Sequence, residues 1–228
     1  MDRLVPIATL RTPFSQKFGV PRQSGTEGVV GRVEFYSPYG DPNAFRGLEG
    51  YSHVWLLWGF SQVEQTDRFV PTVRPPRLGG NTRMGVFATR SPFRPNPIGL
   101  SVVKLLKVEV TDGRVSLLVE GVDMTDGTPV YDVKPYLPHA DCIPQATGGW
   151  SAEVKDECLS VVWDCSVPEE LRSPLETILA QDPRPHYIDD PQRVYGFAYL
   201  GHEVKFAVKD DVLHVLSVLT RHKRKLYR

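Results

Sequence analysis

Residues 100–121 read LSVVKLLKVEVTDGRVSLLVEG, two apolar runs split by Thr111-Asp112-Gly113-Arg114. An Asp-Gly pair fills the centre of a tight hairpin turn because both residues tolerate left-handed backbone, and such a turn twists as its strands do. Lys107–Val119 is therefore expected to be a β-hairpin, with strands over Leu100–Val110 and Arg114–Gly121. The same pattern repeats outward from it. Leu4–Leu10, Arg32–Tyr36, His53–Phe60, Arg83–Ala88 and Val130–Val133 are short, rich in Val, Leu, Phe, Tyr and Trp, and bounded by Gly/Pro turns. Many short strands without a long segment of helical period argue for a barrel or a sandwich.

After about residue 145 the character changes. Ser173-Pro174-Leu175-Glu176 sets a capping Ser, a Pro at the first helical position and a Glu reaching back. Leu171, Leu175, Ile178 and Leu179 then share a face, which predicts a short helix through Gln181. Val194–Leu200, Val204–Val208 and Val212–Leu219 predict a three-stranded antiparallel meander. The expected fold is mainly β, with an N-terminal domain over 1–145 and a small α+β domain over 146–228.

Composition narrows the function. The chain has 228 residues, 41% of them apolar, which is enough for a real core and excludes disordered or collagenous classes. Its longest apolar run, His53–Phe60, falls far short of the ~20 residues that span a bilayer. The start, MDRLVPIATLRTPF, lacks a charged-then-apolar signal layout, so a soluble, untargeted, cytoplasmic protein is expected. Three cysteines without a CxxC pair and six scattered histidines signal neither a disulfide framework nor a metal. There is no GxGxxG, no phosphate-cradling lysine loop, no HExxH and no GxSxG, which weakens dinucleotide, hydrolase and metalloenzyme readings.

Zero net charge hides an uneven distribution. From Arg68 to Val108 there are six Arg, two Lys and not one acid. Such a stretch makes a local positive field that concentrates polyanions. Arg, unlike Lys, is built for two-pronged phosphate or carboxylate contacts. A second basic cluster closes the chain at Arg221, Lys223, Arg224, Lys225 and Arg228, and reads by itself as a solvated face.

Within the basic stretch lies RMGVFATRSPFRPNPIGLS, residues 83–101. Pro92, Pro95, Pro97 and Gly99 fix a loop between two apolar runs, and proline lowers the entropy lost on ordering. Arg90, Ser91, Arg94 and Asn96 are thus held as a preorganised site requires. The alternative is a stiff connector with solvated arginines. A second block, DMTDGTPVYDVKPYLP starting at Asp123, combines a tight Asp126-Gly127 turn with Thr128, Asp132 and Lys134. A third, Phe18–Gly25, is a Gly/Pro loop carrying Arg22, Gln23 and Ser24.

Together, ATRSPFRPNPIGLS and DGTPVYDVKPYLP, preceded by GVPRQSG and TVRPPRLGGN, resemble the TsaA-like/TrmO (YaeB) family over about residues 4–142, with weaker matching beyond. The resemblance implies a β-barrel and a homodimer. It also implies S-adenosyl-L-methionine-dependent N6-methylation of threonylcarbamoyladenosine at position 37, in the anticodon loop of tRNA. Its cofactor contacts would fall on Pro21, Arg22 and Gln23, on Ser61 and Gln62, on Arg90, on Leu100, and on Asp126, Gly127, Thr128 and Pro129. Ser61 departs from the His often found there, which leaves that contact altered or confined to backbone.

The chemistry of such a reaction matches these residue types. Arg90 or Arg22 offers a guanidinium for the donor's carboxylate, Asp126 an acceptor for its ammonium or ribose, and Leu100 with Phe87 or Phe93 an apolar wall. An adenine N6 is a poor nucleophile, so a base and a charge stabiliser help; Asp126 and Lys134 are the candidates. Arg68, Arg74, Arg77, Arg83 and Arg94, with Asn96, would follow neighbouring phosphates and bases. Competing readings are a non-catalytic RNA-binding β-barrel and a methyltransferase for a small diffusible anion.

Overall fold

The structure, a computed structural model, describes residues 4–63, 68–78, 81–153, 158–184, 190 and 192–221. His186 and most of the basic tail, from His222 on, lie outside the described residues. Before residue 136 the chain forms β1 (Ala8–Arg11), β2 (Val30–Phe35), β3 (His53–Gly59), β4 (Thr72–Val73), β5 (Met84–Gly85), β6 (Ile98–Thr111), β7 (Arg114–Glu120) and β8 (Thr128–Pro135). Six of these close into a barrel in the order β1-β2-β7-β6-β3-β8, every pair antiparallel. The β6–β7 hairpin is as its sequence demands: Asp112 and Gly113 take φ of 50° and 74° and join paired Thr111 and Arg114.

Alternation then builds the core. Val54, Leu56 and Trp58 from β3, Val103 from β6, and Val115, Leu117 and Val119 from β7 are all buried. Closure comes from the least local pairing, Leu10 of β1 opposite Thr128 of β8. The expected strand at Arg83–Ala88 is mostly something else. Only Met84–Gly85 pair, with β4, and Val86–Ala88 turn into a 3₁₀ helix. The apolar residues there serve a loop rather than a sheet.

After β8 come α1 (Pro138–Asp141) and then, in the C-terminal part, α2 (Trp150–Glu153), β9 (Ser160–Trp163), α3 (Glu169–Ala180), β10 (Tyr195–Tyr199), β11 (His202–Lys209) and β12 (Val212–Thr220). The meander has a fourth member. Strand β9 runs parallel to β12, so the sheet order is β10-β11-β12-β9. A four-residue strand with a distant partner leaves no hairpin signature in sequence. Helix α3 also starts a full turn before Ser173, with Pro168 at its N-cap and Pro174 inside. An interior proline forfeits one helical hydrogen bond; here Pro174 is buried and packs on Gly28 of the barrel half.

The two parts share one core. Phe18, from the loop between β1 and β2, lies among the rings of Tyr195, Phe197 and Phe206 of the C-terminal sheet, each 6.3 Å away between centroids. Phe14 meets Tyr199 edge-on at 5.5 Å. The loop that carries Arg22 and Gln23 is thereby clamped between barrel and sheet.

Candidate methyl-donor and nucleic-acid site

Strand register dictates which loops can meet. The pairings Arg11↔Arg32, Val30↔Glu120, Gly59↔Ile98 and Leu10↔Thr128 put the C-terminal ends of β1, β3 and β7 and the N-terminal ends of β2, β6 and β8 at one rim. Four loops therefore open at that rim: the β1–β2 loop with Pro21, Arg22 and Gln23; Ser61 and Gln62 after β3; the approach to β6 with Arg90; and the β7–β8 turn with Asp126, Gly127, Thr128 and Pro129. Topology brings together what the chain spreads over more than a hundred residues.

Within the rim two clusters form. In the first, Arg90 Nη1 donates to Gln23 Oε1 at 2.6 Å. Arg22 donates through Nη2 to the carbonyl of Asp182 at 2.7 Å, tying this loop to the C-terminal part. The β1–β2 loop is strapped to the end of β7, because Gly25 N donates to Gly121 O at 2.9 Å and Gly28 N to Glu120 Oε1 at 3.0 Å. Gly121 has a φ of +87°, and a Cβ there would sit 2.9 Å from the backbone of Gly25. Only a residue without a side chain allows so close an approach. The bond from Gly28, with Lys104 nearby, holds the Glu120 carboxyl below its usual range.

In the second cluster, Asp126 Oδ1 accepts from Thr12 N at 3.1 Å while Oδ2 lies 3.7 Å from Arg11 Nη1. Gly127 N donates to Leu10 O at 2.9 Å, and buried Thr128 turns its hydroxyl onto Thr125 O at 2.8 Å. Ser61 and Gln62 are exposed, and the Gln62 carbonyl accepts from Lys17. Leu100 is 53% exposed on the barrel's outer face, opposite Leu57.

Lys134 requires a correction. It stands near the far end of β8, six residues past Thr128, or about 20 Å along an extended strand, and its ammonium is paired with Asp132 at 2.9 Å. Asp126 and Lys134 therefore do not meet within one chain. The cation beside Asp126 is Arg11, which the sequence reading missed because nothing local links residues 11 and 126.

Beside the first cluster opens a groove of about 1600 Å³. Arg68, Arg74, Arg77, Arg90 and Arg94 line it together with Phe69, Phe87 and Phe93. Arg83 is exposed outside this lining, and Asn96 serves the loop itself, its carbonyl accepting from Ile98 N at 2.8 Å. The phenylalanines are 52%, 72% and 61% exposed, an unusual cost for free apolar rings, and Phe69 and Phe87 stack at 6.1 Å. Arg94 is anchored by Thr89 O at 3.1 Å and lies 6.0 Å over the Phe87 ring. Trp150 closes one wall by donating to Ala88 O at 2.9 Å. Arginines interleaved with exposed rings suit a single-stranded nucleic acid, whose phosphates and bases they match. Among the described residues no group of three or more His, Cys, Asp or Glu side chains is placed to hold a metal, and no helix is long and apolar enough to cross a membrane.

Comparison with known proteins gives a consistent result. Residues 9–142 match the family model of the tRNA-methyltransferase O N-terminal domain and residues 149–221 that of the TrmO C-terminal domain. The chain is 40% identical to the tRNA (adenine(37)-N6)-methyltransferase of Escherichia coli K12, covering 94% of this chain and 97% of that protein. It is 41% identical to a putative S-adenosylmethionine-dependent methyltransferase, RcsF, of Pseudomonas aeruginosa, covering 93% and 96%. The crystal structure of TrmO from Pseudomonas aeruginosa superposes with a TM-score of 0.76 at 34% identity, over 96% of this chain and 98% of that one.

Proposed function

The chain belongs to the tRNA-methyltransferase O family, and on that premise we infer that it moves a methyl group from S-adenosylmethionine to N6 of adenine 37 in a tRNA. The observation that carries this reading is the convergence of four loops on one barrel rim, opening directly onto a groove of arginines and exposed rings. The relatives compared above are named methyltransferases, and nothing favours a non-catalytic module.

The residues at the rim fit the donor. Arg90, exposed and steadied by Gln23, would take the carboxylate; the half-exposed Asp126 would accept from ammonium or ribose hydroxyls; exposed Leu100 and Phe93 would cover apolar surface. When bound, S-adenosylmethionine supplies an electrophilic methyl carbon on a sulfonium. The protein's part is alignment and charge. Arg74, Arg77 and Arg94 hold the strand, Phe69 and Phe87 stack on bases next to the target, and an anticodon-loop base is already unpaired, so presenting it costs little. With threonylcarbamoyladenosine as acceptor, the modified base adds a carboxylate that the groove's arginines would receive. Asp126, with Arg11 beside it, is the proposed acceptor of the N6 proton.

We propose further that the protein works in the cytoplasm as a homodimer, which sedimentation checks, and that its two domains divide near residue 145. The decisive experiment incubates the protein with S-adenosylmethionine and tRNA from a strain lacking the modification, then weighs the nucleosides. The expected result is one added methyl on threonylcarbamoyladenosine. Unchanged nucleosides, with donor binding intact by calorimetry, overturn it.

A further inference from the structure

One carboxylate at the rim belongs to neither of the groups assigned above. Asp123 follows β7, and its Oδ1 accepts from Ser101 Oγ at 2.7 Å. Ser101 is 2% exposed, inside the barrel mouth, and its hydroxyl accepts in turn from Trp58 Nε1 at 3.0 Å. The Asp123 carboxylate also accepts from the backbone N–H of Ser24 and lies within electrostatic reach of the Arg90 guanidinium. It thus touches the β1–β2 loop at Ser24 and β6 at Ser101, and it feels the charge of Arg90 on the proline-stiffened loop. Burial pushes its carboxyl up, against the pull of these donors.

A largely buried carboxylate is costly unless its partners justify it. Ser101, which already has Trp58 as donor, can give its single proton only to Asp123. That leaves the carboxylate's orientation fixed from inside the barrel. Arg90 commits one nitrogen to Gln23 and keeps other donors of its five for a ligand. A guanidinium clamped from behind loses less freedom when a carboxylate docks in front.

We propose that Asp123 is a positioning residue for the methyl-donor clamp: with Ser101 and Trp58 behind it, it orients Arg90 and the Gln23–Ser24 loop toward the donor's carboxylate. The inference rests on the reading of this rim as the donor site.

The test is calorimetric binding of S-adenosylmethionine to the full-length protein, with tRNA binding measured in parallel. Asp123→Asn keeps shape and one acceptor and is expected to weaken donor binding by about 10- to 100-fold, with tRNA affinity unchanged. In an Arg90→Gln background the same change is expected to add almost nothing. Ser101→Ala should give a smaller loss in the same direction. In the ligand-free protein, the Arg90 Nε–H signal in a nitrogen-15 NMR spectrum should broaden in Asp123→Asn. Full donor affinity in Asp123→Asn, or an additive loss with Arg90→Gln, overturns the proposal. A wild-type protein that fails to bind the donor at all overturns instead the function on which it stands. Asp123→Glu, which retains charge, should recover part of the affinity; equal damage from both variants would mean a packing role and would also reject the proposal.

Discussion

The rim and the groove adjoin and are built by opposite means. At the rim, loops leave a closed ring of strands and are stapled by backbone, Gly25 to Gly121 and Gly127 to Leu10, and by the bond from Gly28 N to the Glu120 carboxylate. In the groove the framework is slight, a ribbon of two residues per strand and short 3₁₀ turns, and the surface is made by side chains that reach into solvent. The contrast teaches a division of labour. Methyl transfer needs reacting atoms held in line, and rigid supports supply that. An RNA strand is held by charge and stacking, which tolerate adjustment.

The largest expected effect comes from breaking the guanidinium that Gln23 steadies at the rim. Arg90→Ala should cut S-adenosylmethionine affinity by about 100-fold or more, read by calorimetry, and leave tRNA affinity within a few-fold; comparable loss of both would erase the distinction between the two regions. On the groove side, Phe87→Ala should weaken tRNA binding by roughly 1–3 kcal/mol, the worth of one stacked base, with donor affinity unchanged. Filter binding and calorimetry on the same preparation decide it. The rim's rigidity is addressed by Gly99→Ala. A Cβ there would fall 2.1 Å from the Trp58 indole, so overpacking should cost about 1–3 kcal/mol in denaturant unfolding, whereas Gly85→Ala in the groove ribbon, with open space around it, should cost far less. Arg74→Gln should reduce the salt slope of tRNA binding by about 0.7; an unchanged slope would remove Arg74 from the phosphate path.

The smallest effects are pH-dependent and of opposite sign within the rim. Asp123 has a raised carboxyl pKa in the folded state, so its contribution to stability is complete below the usual carboxylate range and is lost as pH rises through the raised value. Glu120 is lowered, so its contribution is complete above that range and is lost as pH falls through the lowered value. Thermal melts of Asp123→Asn should therefore gain on wild type from pH 4 to pH 8. Glu120→Gln should show its deficit at pH 8 and lose it in acid. Parallel curves for the two variants would contradict the assigned environments.

Local features were legible in the sequence and distant ones were not. The Asp112-Gly113 turn and the alternation of β6 and β7 could be read because a hairpin's information is contiguous. The basic groove was legible for a similar reason, being one acid-free stretch. Barrel closure was not, since Leu10 gives no sign that Thr128 is its neighbour. The same blindness hid Arg11 behind Asp126, and hid the part played by Asp123, which only folding sets against Ser101. Pro174 misled differently. Ser173-Pro174 has the grammar of a helix start, and packing against Gly28 overrode it.

The bond from Trp150 to Ala88 and the seat of Phe18 in the distal sheet bear on how such a protein can be recombined. Each half lends the other a piece of itself: the C-terminal segment supplies a wall to the groove, and the barrel supplies an aromatic plug to the sheet. A chimera cut at the sequence boundary would exchange these loans for strangers. Residues 148–151 would have to travel with the barrel, and the rings that receive Phe14 and Phe18 would have to be matched to them, before grafted halves from two relatives could be expected to work as one enzyme.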